Sequence, residues 1–311
     1  CEVGAMASFM AAGSAYAVHG LPMIPFYIFY SMFGMQRVGD MVWGCADMMC
    51  KGFLLGGTAG RTTLNGEGLQ HQDGHSHVLA STVPSLLSYD PAFGYELAII
   101  VREGLRRMYV EQEDIFYYLT LYNENYLMPD MADVLARGAL TQDQLVQGVL
   151  DGGYCFDPAQ SEADIHLLAS GSILQQAIRA KAELQALGYE VSLWSMTSYV
   201  ELQRDAFAVA AANRQNPQAP AQVSKVEAMF DDASGAIIAV TDYMATLAQG
   251  IAAWMPAGYE VLGTDGFGLS ESRAALRAHF AVDADAIVSA ALANLYGQGL
   301  IDEEKLNAAN R

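Results

Sequence analysis

The chain has 311 residues, 52% of them hydrophobic and 16% charged, which suits about two packed domains and excludes a disordered polymer. Its 16 Lys and Arg against 35 Asp and Glu give a formal charge of −19, which argues against a nucleic-acid partner. The most apolar stretch, 21–33, is too short to span a bilayer and holds two prolines, and four irregularly spaced cysteines make no disulfide framework, so a reducing compartment and no membrane are expected.

Residues 2–19 are rich in Ala and Met with small residues at helical spacing and read as a buried helix stopping at His19-Gly20. The chain starts inside this pattern without Met or a basic leader, so it reads as a fragment. Glu2, an acid in an apolar helix, is either exposed, paired or functional. Residues 22–30 are aromatic and β-branched and predict a buried strand, 35–52 a helix, and 53–57 a short strand. Cys45 and Cys50 fall in the helical pattern as buried thiols.

GGTAGRTTLNGEGLQHQDGHSH (56–77) interrupts both periodicities with six glycines, three histidines and two acids. It predicts a long structured loop, and such loops in compact domains are usually functional. Three readings stay open on composition alone: a polar surface loop, a zinc site on His71, His75 and His77, or acid–base chemistry, since imidazole is the side chain suited to proton transfer near neutrality.

Asp90-Pro91 predicts the capped start of a helix running to the basic residues Arg102, Arg106 and Arg107. IFYYLTLY (115–122) predicts a strand buried on both faces of a parallel sheet. Asn123, Glu124 and Asn125 follow it, read chiefly as turn and capping residues. A weakly patterned stretch from 128 to 161 predicts a linker with helices near 131–136 and 141–149. Beyond it the chain alternates strand 165–170, helix 173–187, strand 190–196, helix 199–213, strand 236–240, helix 243–254, strand 259–263 and helices 271–279 and 283–296. The fold class is therefore α/β, with two domains, one on each side of that stretch, each a mostly parallel sheet flanked by helices.

TLNGEGLQHQDGHSH (63–77), preceded by IPFYIFYSMFG (24–34) and followed by YDPAFGYE (89–96), NENY (123–126), GSIL (171–174), VTDY (240–243) and GTDGFG (263–268), resembles the homodimeric bacterial pyruvate dehydrogenase decarboxylating component, a thiamine-diphosphate enzyme of the transketolase superfamily. The resemblance runs over essentially the whole chain. It implies that residues 1–130 are an N-terminally truncated pyrimidine-binding domain and 131–311 a transketolase C-terminal-like domain. It implies that Glu2 shares a proton with the cofactor's aminopyrimidine ring, a task favoured when an apolar site raises a carboxyl pKa. Tyr30 and Phe33 match the pocket around that ring, although core packing is the ordinary role of such aromatics. Glu67 and His71 match positions near the reacting carbon, and His77 matches a histidine lining the substrate channel. His75 stands where many relatives carry Pro, and Leu269 where they carry a basic residue. The family's GDG motif for Mg²⁺ and diphosphate is missing, so those ligands are expected outside this chain and no metal ligand is assigned within it. The implied function is oxidative decarboxylation of pyruvate by a cytoplasmic homodimer that acetylates the lipoyl group of a dihydrolipoyl acetyltransferase component. Another keto substrate, or a non-catalytic dimerisation or assembly role for the isolated chain, are the alternatives.

Overall fold

The computed structural model describes residues 1–309, and within them the alternation of strand and helix forms two sheets. The first consists of β1 (Phe26–Phe29), β2 (Phe53–Gly57), β3 (Leu86–Tyr89) and β4 (Phe116–Leu121), in the order β1-β2-β4-β3, all parallel. The second consists of β5 (Tyr154–Asp157), β6 (Ile165–Ala169), β7 (Val191–Ser195), β8 (Ala236–Val240) and β9 (Tyr259–Leu262), in the order β5-β7-β6-β8-β9. Only β5 is antiparallel. Central strands β4, β6 and β8 are buried along nearly their whole length, as their unbroken apolar runs require.

Local chemistry moves several predicted boundaries. The first helix divides into Glu2–Gly13 and Ala15–His19 at Ser14, whose hydroxyl donates to the Met10 carbonyl at 2.8 Å and competes with the helical ladder. β1 is confined to four residues because Pro22 and Pro25 precede it. The helix after β1, Ser31–Asp47, begins four residues earlier than its apolar spacing suggests. β3 and β5, four residues each, are too short to have shown a period. The helices Lys225–Met229 and Glu303–Ala309 were likewise not expected.

Asp90 is not a helix cap. The helix Gly94–Leu105 is capped from within by Glu96, whose Oε2 accepts from the Ala92 and Phe93 N–H groups at 2.6 and 3.1 Å. The expected helix 243–254 shrinks to Thr246–Gln249 and a 3-10 turn, Ala252–Trp254. Its leading amides are spent elsewhere: Met244 N–H donates to the Gly74 carbonyl at 2.7 Å and Ala245 N–H to Asp265 Oδ1 at 3.3 Å.

The two sheets meet by their carboxyl edges. The loop after β3 donates from Asp90 N–H to the Thr197 carbonyl after β7, and Gly171 N–H after β6 donates back to the Asp90 carbonyl. Tyr122 after β4 and Tyr243 after β8 are joined through their hydroxyls at 2.9 Å. Parallel sheets gather functional loops at this edge, and here two such sets of loops face one another.

Candidate functional site

The loop after β2 runs from Thr58 to His75, broken by one 3-10 turn at Leu69–His71, and ends in the short helix Ser76–Ala80. His77 therefore lies on a helix, where the glycine-rich run had suggested loop throughout. The loop is held at both ends by the second sheet. Asp242, after β8, accepts at Oδ1 from Thr62 N–H (2.8 Å) and Thr62 Oγ1–H (2.6 Å), and at Oδ2 from Thr63 N–H (3.1 Å) and Thr63 Oγ1–H (2.5 Å). The Asp242 carbonyl accepts from Arg61 N–H, and the Arg61 guanidinium donates to the carbonyls of Thr264, at 2.7 Å, and Gly266. Further along, Gly66 N–H donates to the Glu271 carbonyl at 3.1 Å, and Gln72 Oε1 accepts from Leu269 N–H at 2.6 Å. Leu269 thus serves through its backbone.

Two glycines of the loop are dictated by these contacts. Gly60 has φ +88°, and a Cβ there would collide with the Asp242 carboxylate. A Cβ on Gly74 would strike the Arg61 guanidinium. Asp73 shapes the far end, accepting at Oδ1 from the N–H groups of His75 (3.0 Å) and Ser76 (2.9 Å).

Between these attachments the loop presents Glu67 and His71, with Nδ1 of His71 3.9 Å from Oε2 of Glu67. The His71 ring stands edge-on to Phe33, with centroids 5.1 Å apart and planes at 77°, and to Tyr30, at 5.9 Å and 72°. Tyr30 precedes the helix Ser31–Asp47, and Phe33 lies in its first turn. The Arg37 guanidinium, one turn on, sits 4.1 Å above the Phe33 ring and pairs with the Glu2 carboxylate. So Glu2, Tyr30, Phe33, Glu67 and His71, spread over 70 positions, form one connected cluster, with Arg37 as the link that sequence reasoning missed. No spacing rule joins Glu2 to Arg37, 35 positions on; Tyr27, on β1, also reaches Glu2, its hydroxyl donating to the Glu2 carbonyl at 3.3 Å.

The electrostatics of Glu2 differ from the expectation. Its own backbone N–H and the Arg37 guanidinium hold the carboxyl below its ordinary range, outweighing the upward push of desolvation. His71 Nδ1 is buried without a hydrogen-bond partner, its polar neighbour being Glu67 Oε2 at 3.9 Å. Half-exposed Tyr30 (47%) leaves ring surface for a planar ligand.

His77 is not part of this cluster. It is 2% exposed, hydrogen-bonded through Nδ1 to Ser88 Oγ at 2.6 Å and through Nε2 to Thr120 Oγ1 at 3.0 Å. Asp90 lies behind it, its Oδ1 accepting from Thr120 Oγ1–H at 2.5 Å and from the Tyr122 hydroxyl. Burial pushes the Asp90 carboxyl up, but His77 and the hydroxyls of Ser170 and Thr120 outweigh it, leaving it below its ordinary value. His75 instead contacts Gln36 of the helix, whose Nε2–H donates to His75 Nε2 at 2.7 Å in the tautomer that carries its proton on Nδ1. The three histidines thus point to three different sets of neighbours, and among the described residues no group of three or more His, Cys, Asp or Glu gathers as a metal-ligand set. Asn123 and Glu124 do more than turn the chain: Arg273 donates to the Asn123 carbonyl at 3.4 Å, and Glu124 pairs with Arg277, which is buried.

The family model described as the pyruvate dehydrogenase E1 component middle domain matches residues 1–129, and that of the transketolase-like TK C-terminal domain matches residues 152–283. The pyruvate dehydrogenase E1 component of Pseudomonas aeruginosa is 50% identical over 305 residues, covering 97% of this chain and 33% of the relative. That of Escherichia coli K12 is 47% identical over 308 residues (97% and 33%), and that of Mycobacterium tuberculosis 47% over 315 (100% and 33%). The chain spans about a third of the length of these relatives. Among solved structures, a transketolase from Leishmania mexicana superposes with TM-score 0.64 at 18% identity over 88% of this chain and 34% of that one. A Campylobacter jejuni transketolase gives 0.62 at 19% over 90% and 37%. At these identities the likeness extends to the two-sheet fold alone.

Proposed function

Since the chain belongs to the pyruvate dehydrogenase E1 component family, we propose that it forms the pyrimidine-binding and C-terminal domains, divided near residue 130, of an enzyme that oxidatively decarboxylates pyruvate with thiamine diphosphate. The observation that carries this reading is the convergence of Glu2, Tyr30, Phe33, Glu67 and His71 on one surface, with an unpartnered imidazole nitrogen at its centre. Those residues fit the aminopyrimidine ring: aromatic faces for stacking, a carboxyl at the rim and a nitrogen in need of a partner. Thiamine diphosphate supplies the electron sink that decarboxylation of a keto acid requires.

Tyr30 and Phe33 would hold the ring. Glu2 would hold a proton at a carboxylate oxygen, which requires that ring contact weaken the Arg37 pair that now keeps it ionised. His71, through Nδ1 and beside Glu67, would orient the substrate carbonyl and move a proton to or from it. His77 keeps its proposed site role as a wall of the channel, acting through its buried hydroxyl partners and not by contact with the cluster. Mg²⁺ and the diphosphate fall to residues outside these 311, consistent with the missing GDG motif, and the chain alone is then inactive.

The two-carbon product passes to the lipoyl group of a dihydrolipoyl acetyltransferase component. The working unit is a cytoplasmic bacterial homodimer. Support for the dimer comes from Phe26 and Ile28, large apolar side chains half or more exposed on β1, the edge strand of the first sheet. The test is release of labelled carbon dioxide from carboxyl-labelled pyruvate and other 2-keto acids by the full-length protein with thiamine diphosphate and Mg²⁺, beside the aldose phosphate formed from ketose phosphates, whose cleavage releases no carbon dioxide. Preference for pyruvate is expected; preference for a ketose phosphate overturns the reading in favour of transketolase chemistry.

A further inference from the structure

We propose that Asp242 is a positioning residue for the site, setting from the second domain the geometry of the loop that carries Glu67 and His71. The proposal rests on the functional reading above for the roles of those two side chains. Asp242 is 1% exposed and spends both carboxylate oxygens on the loop's first turn, through four hydrogen bonds from Thr62 and Thr63. A buried carboxylate with four donors is a rigid anchor, because losing any one partner leaves a desolvated polar group.

The loop returns to the same strand end: Met244 N–H, two residues on, takes the Gly74 carbonyl at 2.7 Å. Residues 62–63 and 74 are therefore fastened to one three-residue segment after β8, and the loop between them, which Gly66 and Gln72 also tie to residues 269–271, carries Glu67 and His71. A shift of Asp242 moves both ends of that loop together. The first domain's ring contacts to His71 itself, from Tyr30 and Phe33, are edge-on and adjustable. The second domain is thus a component of the site, beyond any part it takes in assembly.

The test uses the full-length protein and Asp242→Asn, which keeps the volume and turns one acceptor into a donor facing Thr62 or Thr63. Two readouts are taken: kcat and KM for pyruvate, and the Cε1–H proton signal of His71, assigned by its disappearance in His71→Gln. The expected result is a kcat about tenfold or more lower, with KM within about threefold and a displaced His71 signal. An unmoved signal with unchanged kcat overturns the proposal. Should Asp242→Asn fail to fold, Thr62→Val removes a single hydroxyl donor and is judged by the same two outcomes, with Thr62→Ser expected to recover most of the loss. If the full-length protein turns over no pyruvate, the functional reading fails, and the His71 signal alone still decides whether Asp242 positions the loop.

Discussion

At the scale of single residues, the two histidines marked by the sequence as equivalent candidates have opposite physical standing. His77 is buried between Ser88 and Thr120, so His77→Ala strands two hydroxyls and opens a cavity. The expected loss is about 2–4 kcal/mol of stability, read by thermal or urea unfolding. His71 is partly exposed and lacks a hydrogen bond at Nδ1, so His71→Gln should change stability by less than about 1 kcal/mol. Equal losses for the two would contradict this division. Glu2 supplies a second check. Arg37→Gln removes one of the interactions that hold its carboxyl low, so the Glu2 carboxyl signal should titrate at higher pH in the variant; an unshifted titration contradicts the pair. Tyr30, Phe33, Glu67 and His71 stand out in the sequence through the motifs that hold them, and Glu2 as an acid in an apolar helix. The roles of Arg37 and Asp242 do not: the first is an ordinary polar residue on a helix face, and the second acts across 180 positions of sequence.

At the scale of elements, unbroken apolar runs such as those of β4, β6 and β8 declared themselves, while β3 and β5 were lost for want of length. The start of the helix Gly94–Leu105 was misread because an Asp-Pro step is a strong capping signal, yet Glu96 supplies the cap and Asp90 turns inward to Thr120 and Tyr122. Glu96 also accepts at Oε1 from the Tyr154 hydroxyl and Ser195 Oγ–H, both at 2.7 Å, and so ties the first sheet's helix to the second sheet. Burial raises its carboxyl pKa despite those four donors. A raised folded-state value means that the carboxyl's stabilising contribution is fully present below its unfolded value, about 4.3, and is lost as pH rises through the folded value. Gln cannot titrate. The stability gap between wild type and Glu96→Gln should therefore narrow as pH rises from about 4 toward 7, measured by unfolding at each pH. A gap that widens over that range would show the folded-state value to be lowered.

At the scale of the whole molecule, the α/β class and two parallel-dominant sheets followed from periodicity, but not the way the sheets meet. Strand patterns report burial within a sheet and carry no information about which edge faces which neighbour. The carboxyl-edge junction is what brings Asp242 under the histidine loop and Arg277 against Glu124. The exposed apolar side chains near β1 belong to this scale too. Ile28→Arg should shift the sedimentation of the protein from dimer toward monomer, and an unchanged dimer would move the proposed interface elsewhere.

The most direct measurement of the central claim is pyruvate-dependent reduction of an artificial electron acceptor, with thiamine diphosphate and Mg²⁺, by the full-length protein, by its Glu2→Ala variant and by this chain alone. Turnover is expected in the full-length protein only, with loss on Glu2→Ala. Full activity in Glu2→Ala would contradict the site built around Glu2, and activity in the chain alone would contradict a diphosphate site lying outside it.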